Sequence, residues 1–416
     1  MKKIILDNGL RVVMEEIPTC RSVAFGIWVK TGSRNETSED NGISHFIEHM
    51  LFKGTDRYTA KDIADIFDGI GGNVNAFTSK EYTCYYAKVL DDHLPQAVEV
   101  LSNMFFHSLF DPSDMSKEMN VILEEISMYE DTPDDLVHDL VSKAAYADHP
   151  LGYSILGLEK RLKAMDPNSL KEFMSRNYLI ENTVISLAGN INEDVLDLIR
   201  KHFDGFQNHG GIQATTAPIF RDELIFHKKK TEQNHICLSL PGYQVDHENI
   251  YAMVLLNNMI GGGMSSRLFQ EIREKRGLAY SVYSYHSSHL DSGLFTIYAG
   301  TAPGQTEEVL KVTMDVLSDV QNNGMTEAEL RRGKEQLKGS LILSLESTSS
   351  RMNRLGKNEL LISKHYSLDE LIARIEKVNL EQVQRVIENT FAQPFAMSMV
   401  GTNDKTITGF RRDQLV

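Results

Sequence analysis

Two histidines four residues apart, with a glutamate between them, are the residues in this sequence best suited to chemistry: His45, Glu48 and His49, in the string HFIEH. On a helix, side chains four residues apart lie one turn above each other, so both imidazoles would point the same way with Glu48 beside them. A catalytic zinc ion takes three protein ligands and keeps a fourth position for water. The motif therefore predicts two metal ligands, with Glu48 free to act as a base. The alternative is a surface helix that bears histidines and binds no metal.

A third ligand is expected on a helix predicted over residues 111–130, which opens with Asp at the N-cap and Pro at the first helical position. This helix carries Glu118, Glu124 and Glu125 within an apolar pattern. Glu118 and Glu125 are seven residues apart, which is two turns, and so share a face. Two carboxylates near apolar neighbours are costly unless a cation lies there. A bound metal would supply that charge.

Nucleotide and serine-hydrolase chemistry have no matching motifs in the chain. The glycines of residues 69–72 (GIGG) do not follow a strand and open a helix, as a dinucleotide-binding motif must. A GxxxxGK[ST] phosphate-binding loop is absent from the sequence, and no GxSxG nucleophile motif stands out. The metal motif is therefore the leading indication of function.

Composition is that of ordinary globular domains, with 416 residues, 41% hydrophobic and 24% charged. This length suggests about two or three domains. The net charge of −15 argues against a nucleic-acid or anionic-membrane partner. The apolar runs are all well short of the ~20 residues that span a bilayer, so no membrane partner is expected.

Cysteine usage and the N-terminus both favour the cytoplasm. Cys20, Cys84 and Cys237 are an odd number, far apart, with no CxxC pair, which is typical of buried free thiols in a reducing compartment. The first residues lack the apolar stretch of a signal peptide. We therefore expect a cytoplasmic protein.

The order of predicted elements repeats after about 200 residues, a period too long for a solenoid. Each half shows a strand, two helices, a strand pair and two further helices. The sequence therefore predicts the α+β class, with two homologous, duplicated α/β-sandwich domains in which helices cover a mixed, mostly antiparallel sheet. The predicted first domain is 1–207, a polar linker follows at 208–222, and the predicted second domain, 223–416, lacks the histidine motif.

These motifs together resemble those of the pitrilysin/insulinase superfamily of zinc metallopeptidases, in the branch that contains mitochondrial processing peptidase and its single-gene bacterial relatives. The HxxEH string is that superfamily's inverted zinc motif, and Glu125 lies at the distance expected for its third ligand. Four other segments resemble the same branch: residues 6–12 (LDNGLRV), 72–78 (GNVNAFT), 121–125 (VILEE) and 276–282 (RGLAYSV).

The resemblance implies roles for the residues that match. His45, His49 and Glu125 would bind one Zn²⁺ per chain, and Glu118 would be a carboxylate close to these ligands. Glu48 would take a proton from the attacking water and pass it to the leaving amine. The two domains would form half of a clamshell, which a homodimer would close.

The resemblance also implies where a peptide would bind. Asn75, Ala76 and Phe77 match an edge strand on which an extended substrate pairs through its backbone, with the Asn75 amide as a further donor. Arg273 and Tyr280 match a pair that holds the substrate carbonyl and developing oxyanion at the zinc of the facing chain. The alternatives are a turn-proximal asparagine, a surface arginine and a strand tyrosine.

Two further features bear on specificity. Asp135 and Asp139, four residues apart on a predicted helix, match acidic positions that would attract an arginine two residues before the scissile bond. The alternative is a solvated helix N-terminus, where Asp is favoured in any case. The glycines 261–263 resemble a short form of the glycine-rich loop of the processing peptidase's non-catalytic subunit, and their role in substrate binding stays open.

The leading interpretation is a zinc endopeptidase that acts on peptides or unfolded polypeptide segments. One alternative is a non-catalytic scaffold or binding subunit of the same fold. Another is a peptidase subunit that needs a separate partner chain. The complete set of ligands with its base favours catalysis, and the presence of Arg273 and Tyr280 in the same chain favours self-association.

Overall fold

The structure, a computed structural model, describes residues 1–211 and 215–403. Residues 212–214 of the predicted linker and residues 404–416 of the predicted second domain lie outside the described residues. The strands within the described ranges are β1 (Lys2–Ile5), β2 (Arg11–Glu16), β3 (Ser22–Val29), β4 (Asn73–Thr78), β5 (Thr83–Leu90), β6 (Thr183–Gly189), β7 (Leu224–Lys228), β8 (Asn234–Pro241), β9 (Ala279–Ser288), β10 (Gly293–Thr301) and β11 (Ala396–Gly401).

Helices occupy most of the remaining described chain. They are α1 (Ile43–Leu51), α2 (Ala60–Gly69), α3 (Leu94–His107), α4 (Pro112–Glu130), α5 (Pro133–Tyr146), α6 (Glu159–Leu162), α7 (Pro167–Asn177), α8 (Val195–Phe203), α9 (Ile250–Gly261), α10 (Thr306–Asn323), α11 (Glu327–Ser344), α12 (Thr348–Leu361), α13 (Leu368–Lys377) and α14 (Leu380–Phe391). None of these helices is long and apolar enough to cross a membrane.

The strands form two sheets with matching topology. The first has the order β1-β2-β6-β3-β5-β4, and the second has the order β7-β11-β8-β10-β9. In each sheet one pair is parallel, β2 with β6 and β7 with β11, and the other pairs are antiparallel. Apart from the additional β1, the strands correspond one to one. The predicted α+β class and its duplication are thereby confirmed.

Each sheet has a helix-covered face that forms its main core. In the first sheet, Phe25 and Ile27 of β3 pack in one cluster with Phe46 and Ile47 of α1. In the second, Phe295 and Ile297 of β10 belong to a comparable cluster with residues of α9 and α14. β3 is buried along almost its whole length because helices lie on both of its faces.

The opposite face of each sheet is covered by a helix from the other half of the chain. α12 packs on the first sheet, where Met352 and Leu355 contact the cluster around Trp28. α5 packs on the second sheet, where Val137 and Val141 join a cluster with Cys237. The two compact units are accordingly residues 1–126, 154–215 and 343–365, and residues 127–153, 216–342 and 366–416.

This exchange of helices differs from the continuous domains expected from the sequence, 1–207 and 223–416. Its physical reason is that the second face of each sheet is apolar and must be covered. The amphipathic patterns of α5 and α12 indicate that each helix has a face to bury. These patterns do not indicate which of the two sheets each helix covers.

Candidate metal centre

Helix α1 presents the motif because its other side is anchored in the core. Ile43, Phe46, Ile47 and Met50 are buried, whereas His45, Glu48 and His49 are only partly buried. The apolar residues recur at the spacing of one helical face. The three motif residues are therefore left on the side of α1 that is not packed into the core.

The N-terminus of α1 is held by a carboxylate that the sequence analysis did not single out. The N-cap residue Gly42 has no side chain to cap the helix, and Glu36 takes that place. The Glu36 oxygens accept hydrogen bonds from the backbone N–H groups of Gly42 (2.8 Å) and Ser44 (2.9 Å). Burial raises the pKa of Glu36, and these N–H donors oppose the shift. A negative charge here stabilises the helix start and fixes where the motif begins.

His45, His49 and Glu125 converge as predicted. Glu125 Oε2 lies 3.8 Å from His45 Nε2 and 3.6 Å from His49 Nε2. One ligand atom from each of the three residues lies within 4.8 Å of the others. A tetrahedral zinc ion with bonds of about 2.0–2.1 Å requires donors roughly 3.4 Å apart. The three side chains therefore fit a zinc ion after small adjustments.

Protonation also suits His45 to metal binding. Burial, together with the neighbouring His49, lowers the pKa of His45 to about 4. The neutral imidazole, which is the form that binds metals, therefore dominates at pH 7.

Glu118 lies behind the ligands, where the resemblance placed it. Its Oε2 is 3.1 Å from His49 Nδ1, and its Oε1 is 2.7 Å from Lys53 Nζ. When His49 Nδ1–H donates to this carboxylate, the Nε2 lone pair is left facing Glu125. Lys53, which the sequence analysis did not single out, balances the charge of the buried Glu118.

Glu48 is held by strand β4. The Thr78 hydroxyl donates a hydrogen bond to Glu48 Oε2 at 2.5 Å. Burial raises the pKa of Glu48, whereas the Thr78 hydroxyl and His49 act in the opposite direction. A carboxylate whose pKa is raised toward neutrality is a better proton acceptor and donor at pH 7 than an exposed one.

The predicted substrate residues lie on β4, an edge strand of the first sheet. Asn75 is exposed, and its Oδ1 accepts a hydrogen bond from the Ala76 N–H at 2.8 Å. Ala76 packs against the main core. Phe77 packs edge-on against Trp28, with ring centroids 5.7 Å apart. Peptide binding along this edge stays a prediction, and the Phe77 ring serves the packing beneath α12.

Arg273 and Tyr280 lie together in the second compact unit. Arg273 Nη1 donates to the Tyr280 carbonyl at 2.9 Å, and its guanidinium lies 4.4 Å from the Tyr280 ring centroid. Tyr280 is 75% exposed. Arg273 lies on a π-helical segment, Phe269–Glu274. The pair is preformed and accessible, and its action at the zinc of a facing chain stays a prediction.

Asp135 and Asp139 lie on α5, also in the second unit, one helical turn apart as predicted. The Tyr129 hydroxyl donates to the Asp135 backbone carbonyl at 3.0 Å. His138, to which the sequence analysis gave no role, lies between them with Nδ1 2.7 Å from the Tyr285 hydroxyl. Their attraction for an arginine side chain stays a prediction.

Close packing explains why at least one of the residues 261–263 is a glycine. A Cβ on Gly261 would lie 2.6 Å from Ser284 Oγ and closer still to that residue's backbone nitrogen. Gly261 therefore lets the end of α9 approach β9.

Comparison with known proteins places these features in a family. The family described as "Insulinase (Peptidase family M16)" matches residues 11–159, and that described as "Peptidase M16 inactive domain" matches residues 164–337. The chain is similar to an uncharacterized zinc protease, YmxG, of Bacillus subtilis, with 52% identity over 96% of this chain and 98% of the relative. An uncharacterized zinc protease of Streptomyces coelicolor, SCO5738, is 42% identical over 96% of this chain and 89% of the relative.

Solved structures show the same fold. The crystal structure of a peptidase M16 inactive domain from Pseudomonas fluorescens superposes with a TM-score of 0.90 and 22% identity, covering 97% of this chain and 98% of that one. A Helicobacter pylori protease gives a TM-score of 0.89 and 24% identity, covering 96% of this chain and 99% of that one. At these identities the likeness concerns the fold alone.

Proposed function

Because the chain belongs to the insulinase family of peptidases, family M16, we propose that it is a zinc-dependent endopeptidase that hydrolyses peptides or unfolded protein segments. The observation that carries the proposal is the convergence of His45, His49 and Glu125 at distances that suit a zinc ion, with Glu48 beside them. Relatives that align with 96% of the chain are named uncharacterized zinc proteases. A scaffold without catalysis would not need this complete set of residues.

Each side chain has a distinct task in this reaction. His45, His49 and Glu125 would hold the ion, which when bound lowers the pKa of a water molecule and polarises the scissile carbonyl. Glu48 takes a proton from the attacking water and delivers it to the nitrogen of the leaving amine. Glu118 keeps His49 in the tautomer that leaves Nε2 available.

Substrate binding is proposed at three further places. An extended peptide would add to the outer edge of β4, where backbone hydrogen bonds are largely independent of sequence. Arg273 and Tyr280 of a second copy in a homodimer would stabilise the oxyanion. Asp135 and Asp139 would favour an arginine near the cleavage site.

The test pairs metal content with cleavage of an arginine-containing fluorogenic peptide. The Glu48→Gln variant keeps the shape of the side chain but removes the base, so we expect it to retain about one zinc per chain and lose at least about 100-fold in kcat. Glu124→Gln, at an exposed position of α4 next to a ligand, is the matched control and should behave like the wild type.

Two outcomes would contradict the proposal. If the wild type binds zinc and dimerises but does not cleave, a scaffold role becomes the better account. If Glu48→Gln cleaves as fast as the wild type, Glu48 is not the base. A cleavage profile over a peptide library without enrichment of arginine would reject the specificity attributed to Asp135 and Asp139.

A further inference from the structure

We propose that Thr78 is a positioning residue for Glu48, and that it ties this carboxylate to the edge strand β4. The inference rests on the proposed function. Thr78 is the last residue of β4, and its hydroxyl donates to Glu48 Oε2 at 2.5 Å. In the described part of the chain, this hydroxyl is the only side-chain hydrogen-bond partner of the Glu48 carboxylate. The base on α1 is thus anchored from a separate element of the first unit.

An anchor of this kind matters because a glutamate has three side-chain torsions. A free carboxylate samples several rotamers, and most of them do not direct an oxygen at the attacking water. The Thr78 hydroxyl holds Oε2, so the orientation of the whole carboxylate, which must accept and return the proton, is restricted. Hydrogen bonds to an ionised acceptor are among the stronger ones in proteins.

The position of Thr78 is itself set by the sheet. Thr78 pairs in register with Thr83 of β5, at the end of a ladder that includes Asn75 with Tyr86. A peptide bound along the outer edge of β4 would lie against the same rigid strand that holds the base. The substrate backbone and the Glu48 carboxylate would then both be held by β4, which favours a reproducible distance between them.

The experiment compares three variants for kcat, KM and zinc content. Thr78→Val keeps the β-branched shape and removes the hydroxyl, so we expect kcat to fall about 10- to 100-fold with KM and zinc content near those of the wild type. Thr78→Ser restores the hydroxyl and should recover kcat to within about threefold of the wild type. Thr183→Val, in the same unit, is the matched control: its buried hydroxyl donates to the Leu179 carbonyl at 2.7 Å, so its loss should lower thermal stability and leave kcat unchanged.

A structural readout keeps this inference separate from the proposed function. In crystal structures of the variants, the Glu48 carboxylate should keep its place in Thr78→Ser and leave it in Thr78→Val. An unchanged kcat in Thr78→Val, or an equal loss in Thr183→Val, would overturn the inference. If the wild type does not cleave, the peptidase proposal fails on its own, and a Glu48 carboxylate that stays in place in Thr78→Val would overturn the anchoring role as well.

Discussion

Replacing Gly356 by alanine tests how closely helix α12 packs on the first sheet. The side chain of Trp28 on β3 lies directly beneath this glycine, is 1% exposed, and donates a hydrogen bond to Ser186 Oγ at 2.8 Å. A Cβ on Gly356 would lie 2.6 Å from the indole Cδ1 and closer still to Nε1. Carbon atoms in contact normally stay about 3.5–4.0 Å apart. The helix or the indole must therefore retreat by about 1 Å.

The expected magnitude follows from three contributions. Overpacking of a rigid core costs about 1–3 kcal/mol. Weakening of the bond from Trp28 to Ser186 adds about 1 kcal/mol. Alanine recovers about 1 kcal/mol because it is a better helix former than glycine. We therefore expect Gly356→Ala to lower the free energy of unfolding of the first unit by roughly 1–3 kcal/mol.

The assay is denaturant unfolding followed by tryptophan fluorescence, since Trp28 is the only tryptophan in the chain. Gly69→Ala is the matched control, because Gly69 lies at the end of α2 in the same unit and a Cβ there would meet nothing within 4 Å. The control should be neutral or slightly stabilising. If Gly356→Ala unfolds at the same or a higher denaturant concentration than Gly69→Ala, the close approach of α12 to β3 is refuted.

Two further predictions concern carboxylates that are buried or partly buried. Glu118→Ala removes the hydrogen-bond acceptor of His49 and should lower zinc affinity about 10- to 100-fold in chelator competition, and an unchanged affinity would contradict the role of Glu118. Glu329 accepts two hydrogen bonds from Arg267. Burial raises the pKa of Glu329, but these bonds and the Thr326 N–H outweigh burial and lower that pKa from 4.5 to about 2. Because the folded pKa lies below the unfolded one, the stabilisation is complete above about pH 4.5 and is lost as the pH falls toward 2. Glu329→Gln should therefore lower the free energy of unfolding, measured in urea, by up to about 3 kcal/mol at pH 7. The difference from the wild type should shrink as the pH falls, and a difference independent of pH would refute this role of Glu329.

The sequence was sufficient for elements whose signals are local. The spacing of His45 and His49 and the Asp-Pro start of α4 each depend on neighbours within a few residues, and the structure places α1 and α4 accordingly. The choice of Glu125 required a resemblance, because the periodicity of α4 gives faces but not distances to another helix.

Some functional residues could not be identified from the sequence, because they contact residues far away in the chain or cap a helix at an unusual spacing. Thr78 reaches Glu48 over thirty positions, and its pattern is that of any strand residue. Glu36 caps α1 from six residues before the N-cap, outside the usual capping-box spacing. Such contacts are set by tertiary packing, which local propensity does not encode.

The exchange of α5 and α12 has a consequence for how the protein is made. The first sheet, which belongs to the unit with the candidate metal ligands, needs α12, which ends at Leu361, to cover the face around Trp28. A nascent chain of 207 residues would therefore leave the ribosome with that apolar face open to solvent. The unit that holds the candidate metal site can reach its final packing only after translation has passed Leu361, when β7–β10 of the second sheet have been made but β11 has not. Under the proposed function, peptidase activity would therefore be gained late in synthesis. For the same reason, expression of either half alone should give aggregation-prone fragments rather than independent domains.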